Sequence, residues 1–301
     1  MSYQFQVPKE ELLSPGHLAC SGCGAALAMR LILKVTGEKT VVVVPACCWS
    51  VIDGAFPSSA TKVPLYHTAF CAAPATAAGI RAALDLKGDH ESTVMIMAGD
   101  GGTFDIGFAS LSGMVERNDN ILYICYDNEG YMNTGIQRSS ATPKGAWTTT
   151  TPVVHPEENP KKDLVGIMAA HKIPYAATAS VAYPDDLIRK VKTASTVKGS
   201  RLLHVFSPCP PGWKLPPSKM IQIARMAVAS GLFPLYEVYR GRDWRMSEGY
   251  DGTQVGEVLK LQGRFSHLEP EEIQRMQELV DEGMSELAGR VKKSSASQFF
   301  K

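Results

Sequence analysis

The sequence predicts a doubly wound α/β domain on a mostly parallel sheet. Three observations predict it. Apolar runs of strand length alternate with segments of helical spacing along most of the chain. Several runs are apolar throughout instead of alternating, as in strands covered on both faces. Glycine- or asparagine-rich turns follow two of the runs, where a parallel sheet presents its ligand-binding loops.

The elements follow in chain order. Residues 1–15 read as a mobile or docking arm. "CGAALAMRLILKVTG" (23–37) has helical spacing and stops at Gly37, and "TVVVVPA" (40–46) is a buried strand. "APATAAGIRAALDLKG" (73–88) is a helix of small residues ending at Gly88, followed by the strand "STVMIMAGD" (92–100). "GFASLSGMVERN" (107–118) is a helix and "NILYICYDN" (120–128) a strand. The segments 162–173 and 184–196 read as helices around a short strand at 175–181, and "SRLLHVFSPCP" (200–210) is another strand. Residues 140–162 form a long Pro/Thr-rich loop, of the kind that is functional or interfacial. A helix at 218–232 and a polar helix near 270–293 belong to an extension, 216–301, that is expected to contact a partner; residues 1–215 form the main domain. No internal repeat is visible.

The 301 residues suffice for one large or two modest domains. Hydrophobic residues make up 45% and charged ones 20%, and the net charge of +1 gives no electrostatic case for nucleic acid or an anionic membrane. No apolar run reaches the roughly 20 residues that a span needs. The N-terminus lacks a secretory pattern, so a reducing cytoplasmic setting is expected. In that setting the seven cysteines point to metal binding or burial rather than disulfides.

The first chemical site lies after the second long strand, in "GDGGTFDIGF" (99–108). Gly99, Gly101 and Gly102 let the main chain approach a phosphate, and Asp100 supplies a hard oxygen ligand. The next strand ends in "YDNEGYMNTG", which brings Asn128 and the Gly130 carbonyl to the neighbouring strand end. With a diphosphate, these oxygens make an octahedral Mg²⁺ site. Gly101 and Asn128 are separated by 26 residues, one helix and one strand, the spacing of the thiamine diphosphate signature. No P-loop and no G-x-G-x-x-G after the first strand compete with it.

The cysteines form the second constellation. "ACSGCG" carries Cys20 and Cys23, the first strand ends at Cys47 and Cys48, and a late strand ends at Cys209 in "SPCPPGW". In a parallel sheet these ends share one edge with the Gly-Asp-Gly loop. Four thiolates there suit a structural zinc or an iron–sulfur cluster. The thiamine signature favours a cluster, which can take electrons from thiamine chemistry on a 2-oxoacid. Cys71 and Cys125 are assigned to packing.

The stretches "PGHLACSGCG", "KVPLYHTAF", "GDGGTFDIG", "YDNEGYMNTGIQRS", "TPKGAWTTT" and "SPCPPGW" together resemble the beta subunit of 2-oxoacid:ferredoxin oxidoreductases, over roughly residues 15–240. The resemblance implies thiamine diphosphate, Mg²⁺ and a [4Fe–4S] cluster, the last on Cys20, Cys23, Cys48 and Cys209. Cys47 stands where relatives have glycine, and is expected to shape the thiamine pocket. "KVPLYHTAF" is followed by Cys71 and Ala72 in place of Glu-Asn, which leaves oxalate and arylglyoxylate open as substrates beside pyruvate.

The implied reaction is oxidative decarboxylation of a 2-oxoacid, pyruvate with coenzyme A first, giving acetyl-CoA and CO₂ or the reverse. Electrons pass singly to the cluster. The alternative class is a non-oxidative thiamine enzyme with a structural zinc. Asn133 and Thr134 are expected to face substrate, and His67 or His17 to assist proton transfer. Lys62 reads as a solvated charge, and Trp147 and Trp213 as packing. The chain has no pyrimidine-binding domain and no ferredoxin-like cysteine run. The resemblance supplies these as partner subunits of alpha, gamma and delta type, with ferredoxin as external acceptor.

Overall fold

The computed structural model describes residues 7–297. Eight strands form one sheet in the order β2-β1-β3-β4-β6-β5-β7-β8. They are β1 (Thr40–Pro45), β2 (Leu65–Thr68), β3 (Thr93–Gly99), β4 (Leu122–Asp127), β5 (Tyr175–Ser180), β6 (Arg201–Phe206), β7 (Tyr236–Tyr239) and β8 (Asp243–Met246). The first six are mutually parallel; β7 and β8 add an antiparallel edge. None of the described helices is long and apolar enough to cross a membrane.

The continuous apolar runs are explained by packing on both faces. Along β4, Leu122, Ile124 and Tyr126 enter one core, and Tyr123 and Cys125 enter the other. Met95 and Met97 of β3 face the first core; Val94, Ile96 and Ala98 face the second. The first face is covered by α1 (Gly24–Thr36), α6 (Pro184–Thr196) and α8 (Met220–Ala229). The second is covered by α3 (Ala73–Leu86), α4 (Phe108–Glu116) and α5 (Leu164–Ala170). Two one-turn helices, α2 (Trp49–Ile52) and α7 (Pro210–Trp213), start next to Cys48 and Cys209.

Of the N-terminal arm, residues 1–6 lie outside the described residues; from Val7 onward it docks, the second of the two alternatives. Leu12 and Leu13 are buried in the first core, and Glu11 binds Arg30 and Lys34 of α1 at 2.6 and 2.7 Å. The segment after residue 215 is more than an appendage. Met220, Ile223 and Ala224 of α8 join the first core, β7 pairs with β5, and the long helix Pro270–Ser297 lies on β8 with Leu287 in the second core.

Candidate functional site

The carboxyl ends of β1, β3, β4 and β6 converge, as the edge of a parallel sheet requires. After β3 the chain enters a π-helical turn, Gly101–Ile106. A side chain at Gly101 would lie 2.5 Å from the Tyr131 ring, so only glycine keeps this wall. Tyr131 is held by its hydroxyl, which donates to the Gly101 carbonyl at 3.2 Å and to Asp105 at 3.0 Å. Gly99, Asp100, Gly101, Gly102, Asn128, Gly130, Asn133 and Thr134 all line one cavity of about 240 Å³, together with Cys47 and Cys48. His67 is absent from it, exposed on the edge strand β2.

Asp100 is fully buried. Ser139 Oγ donates to its Oδ2 at 2.5 Å, and the Asn128 main-chain N–H donates to its Oδ1 at 3.3 Å. No cationic side chain is paired with it among the described residues. Burial, and then the nearby Asp127 charge, push its carboxyl well above the usual carboxylate range. The Asn128 side-chain oxygen faces two more acceptors, Asp100 Oδ1 at 2.9 Å and the Gly130 oxygen at 3.0 Å. With the amide reversed, its nitrogen would donate to both. With the oxygen turned in, it sits from each of the other two acceptors at the edge spacing of an octahedron, about 3.0 Å for ligands about 2.1 Å from Mg²⁺. The donor set therefore fits a hard divalent cation.

Asp127, next in chain, belongs to a separate buried network. His204 Nε2 lies 2.6 Å and Lys161 Nζ 2.5 Å from its Oδ2, and Lys161 also reaches Glu129 at 2.9 Å. Burial alone would raise the Asp127 carboxyl, but Lys161 and His204 outweigh it and hold it at about 2. Lys161 comes from the loop 140–162, whose Thr142, Ala146, Thr148 and Glu157 are buried. That loop thus anchors the strand ends that carry Asn128.

Cys20, Cys23, Cys48 and Cys209 line a second cavity of about 270 Å³, adjoining the first through Cys48, Asn128, Met132 and Asn133. The glycines of "ACSGCG" permit this approach. Gly22 has a φ of +71°, with the Pro217 oxygen 2.8 Å from where a side chain would start, and Gly24 sits as close to Ser207. Burial pushes the Cys209 thiol up to about 12 and raises those of Cys23 and Cys47. Cys48 is raised further, by burial and then by the Cys47, Cys209 and Cys23 sulfurs. Four thiolates here therefore need a positive centre to hold them, and its binding releases protons. Among the described residues, no group of three or more His, Cys, Asp or Glu side chains is arranged to hold a single metal ion.

The remaining candidates separate. Cys47 lines the first cavity only, and its carbonyl accepts from Asn133 Nδ2 at 2.8 Å. Thr134 is held by Gln137. His17 accepts from the Ala19 N–H at 3.3 Å and lines neither cavity, and Lys62 is exposed. Cys71 is a correction: it is exposed in the turn before α3, so it does not pack, whereas Cys125 is buried. Trp147 is half-buried under Lys214, and Trp213 is buried. Ser139, Tyr126 and Phe70 lie in the quoted stretches 126–139 and 62–70 but are not singled out there as site residues; only the fold brings them to Asp100, Cys48 and Gly102.

Residues 51–205 match the family described as thiamine pyrophosphate enzyme, C-terminal TPP binding domain. The pyruvate synthase subunit PorB of Methanocaldococcus jannaschii is 48% identical over 287 residues, 92% of this chain and 96% of the relative. The ketoisovalerate oxidoreductase subunit VorB of Pyrococcus horikoshii is also 48% identical, over 91% of each chain. Among solved structures, a 2-oxoglutarate:ferredoxin oxidoreductase from Magnetococcus marinus, with 2-oxoglutarate, coenzyme A and succinyl-CoA bound, has a TM-score of 0.61. The match covers 85% of this chain and 91% of that one at 21% identity, a likeness of fold. A binding fold for thiamine pyrophosphate, joined to near-full-length identity of this order, places the chain in the family of 2-oxoacid:ferredoxin oxidoreductase beta subunits.

Proposed function

We propose that this subunit binds the diphosphate end of thiamine diphosphate through Mg²⁺, and carries a [4Fe–4S] cluster beside it. The observation that carries the reading is the pair of adjoining cavities, one lined by Gly99–Gly102 and Asn128, the other by four cysteines, with Cys48 and Asn128 in both. When bound, thiamine diphosphate supplies the nucleophilic carbon and the electron sink for decarboxylating a 2-oxoacid.

This chain's residues then have distinct tasks. Asp100, the Asn128 oxygen and the Gly130 carbonyl hold the cation, and Ser139 fixes Asp100 by binding its second oxygen. Gly99, Gly101 and Gly102 keep the wall open for phosphate. Cys20, Cys23, Cys48 and Cys209 hold the cluster, and the shared wall at Cys48 brings it close to the cofactor. Asn133 and Thr134, exposed at the rim, meet the substrate, and Cys47 shapes the pocket floor.

The cofactor's pyrimidine ring is met by a partner subunit of the same complex, a second partner serves the coenzyme A side, and a ferredoxin-like subunit passes electrons to ferredoxin. Pyruvate with coenzyme A is the leading substrate pair. The two 48%-identical relatives are named for pyruvate and for ketoisovalerate, so both acids belong in a substrate panel, with oxalate and phenylglyoxylate. The test uses the intact complex, a low-potential dye and that panel. The reading expects dye reduction by a 2-oxoacid that depends on thiamine diphosphate and Mg²⁺. It also expects about four irons and four acid-labile sulfides that are lost on removing Cys48. One tightly bound zinc in place of iron would defeat it.

A further inference from the structure

Asn128 faces both cavities with one carboxamide. One end of the amide lies 2.9 Å from Asp100 Oδ1 and 3.0 Å from the Gly130 oxygen, and the other end lies 3.8 Å from Cys48 Sγ. The main chain on both sides is held. The Asn128 N–H donates to Asp100, and its carbonyl accepts from Trp213 Nε1 at 2.7 Å. The Cys48 N–H donates to the Tyr126 hydroxyl at 3.0 Å. Asn128 is itself buried, so what remains free is the choice of which end of the amide turns inward. Nitrogen inward satisfies Asp100 and Gly130 without a cation. Oxygen inward requires a cation, and at the same time aims the N–H pair at the Cys48 sulfur.

We propose that Asn128 is a positioning residue shared by both sites, oriented by the divalent cation so that its side-chain N–H donates to the Cys48 thiolate. The inference rests on the cluster reading above. A hydrogen bond to a ligating sulfur stabilises the more negative, reduced cluster, so it raises the potential. Cation binding and cluster reduction therefore favour each other, and by linkage the effect is mutual.

The test uses the intact complex made with side-chain ¹⁵N-labelled asparagine, loaded with Mg²⁺ and thiamine diphosphate and reduced with dithionite. The subunit's cluster signal is the one that a Cys48→Ala complex lacks. Pulsed electron paramagnetic resonance of that signal is expected to show a ¹⁵N coupling in the native complex. Asn128→Asp keeps an oxygen for the cation but has no N–H. It is expected to lose the coupling and to lower the midpoint potential by at least ~59 mV, tenfold in a one-electron equilibrium. Asn128→Ser serves if Asn128→Asp does not assemble. A native complex with its iron and Mg²⁺ but no ¹⁵N coupling overturns the inference and leaves the proposed function intact. So does a coupling that persists in the variants. A native complex with no such cluster signal overturns the proposed function and this inference with it.

Discussion

Trp213 Nε1 donates to the main-chain oxygen of Asn128 at 2.7 Å, across a sequence separation of 85 residues. Trp213 stands four positions after Cys209, and the Arg264 guanidinium stacks 3.7 Å over its ring. One indole therefore ties a cysteine-bearing segment to the segment that carries the proposed cation ligands Asn128 and Gly130. Trp213→Phe keeps the ring but leaves a buried carbonyl unpaired, at a cost of about 1–3 kcal/mol. Denaturant unfolding should show that loss, and the variant complex should bind Mg²⁺ more weakly. Unchanged stability would mean that the bond adds nothing net.

Asp100→Asn removes the one carboxylate of the proposed cation site and keeps its shape. In the intact complex, Mg²⁺-dependent binding of thiamine diphosphate should fall at least ~100-fold. The thermal stabilisation given by that ligand should fall with it, by about 2.3 kcal/mol for a ~100-fold loss at a concentration of about 100 times the native Kd. Isothermal titration and thermal melts with and without Mg²⁺ test this. Native-like affinity in the variant would remove Asp100 from the site.

Cys47 and Cys48 are adjacent in sequence and share the first cavity, but of the two only Cys48 also lines the cavity of the four cysteines. Cys48→Ala should strip the subunit's iron and sulfide. Cys47→Ala should keep both and alter the KM for the 2-oxoacid. Iron and sulfide assays on the two complexes decide between neighbours that sequence spacing alone does not separate.

Glu11 predicts a modest pH dependence at the docked N-terminal segment. Hydrogen bonds from Arg30 and then Lys34 lower its carboxyl to about 2 from an ordinary 4.5. A depressed folded-state value means the stabilisation is full above pH 4.5 and is lost as the pH falls through about 2. Because Glu11 is 37% exposed, solvent screening limits it to less than about 1 kcal/mol. The stability difference between native protein and Glu11→Gln should therefore shrink toward zero on acidification from pH 7. A difference that grows instead would refute the ion pair.

The sequence by itself determined the alternation of elements and the parallel class of the sheet. Residues such as Val42–Val44 or Met95–Met97 are apolar throughout because each successive side chain enters a different core. It also marked the Gly-Asp-Gly turn, the asparagine one strand later and the CxxC, because close backbone approach and the proposed metal ligation restrict residue type at fixed local spacing. Only the tertiary structure decided which distant residues meet. Ser139 on Asp100, Tyr126 on the Cys48 main chain and Trp213 on Asn128 lie in marked stretches, but nothing local says which residue each pairs with across 39, 78 and 85 positions. His67 sits in a well-marked stretch, yet the edge strand carries it away from both cavities. Leu12 and Leu13 sit in an arm that reads as either mobile or docking, and their burial decides for docking. Local pattern records what a segment needs from its own backbone and its burial. The sheet order, set by packing of the whole chain, determines what each strand end faces.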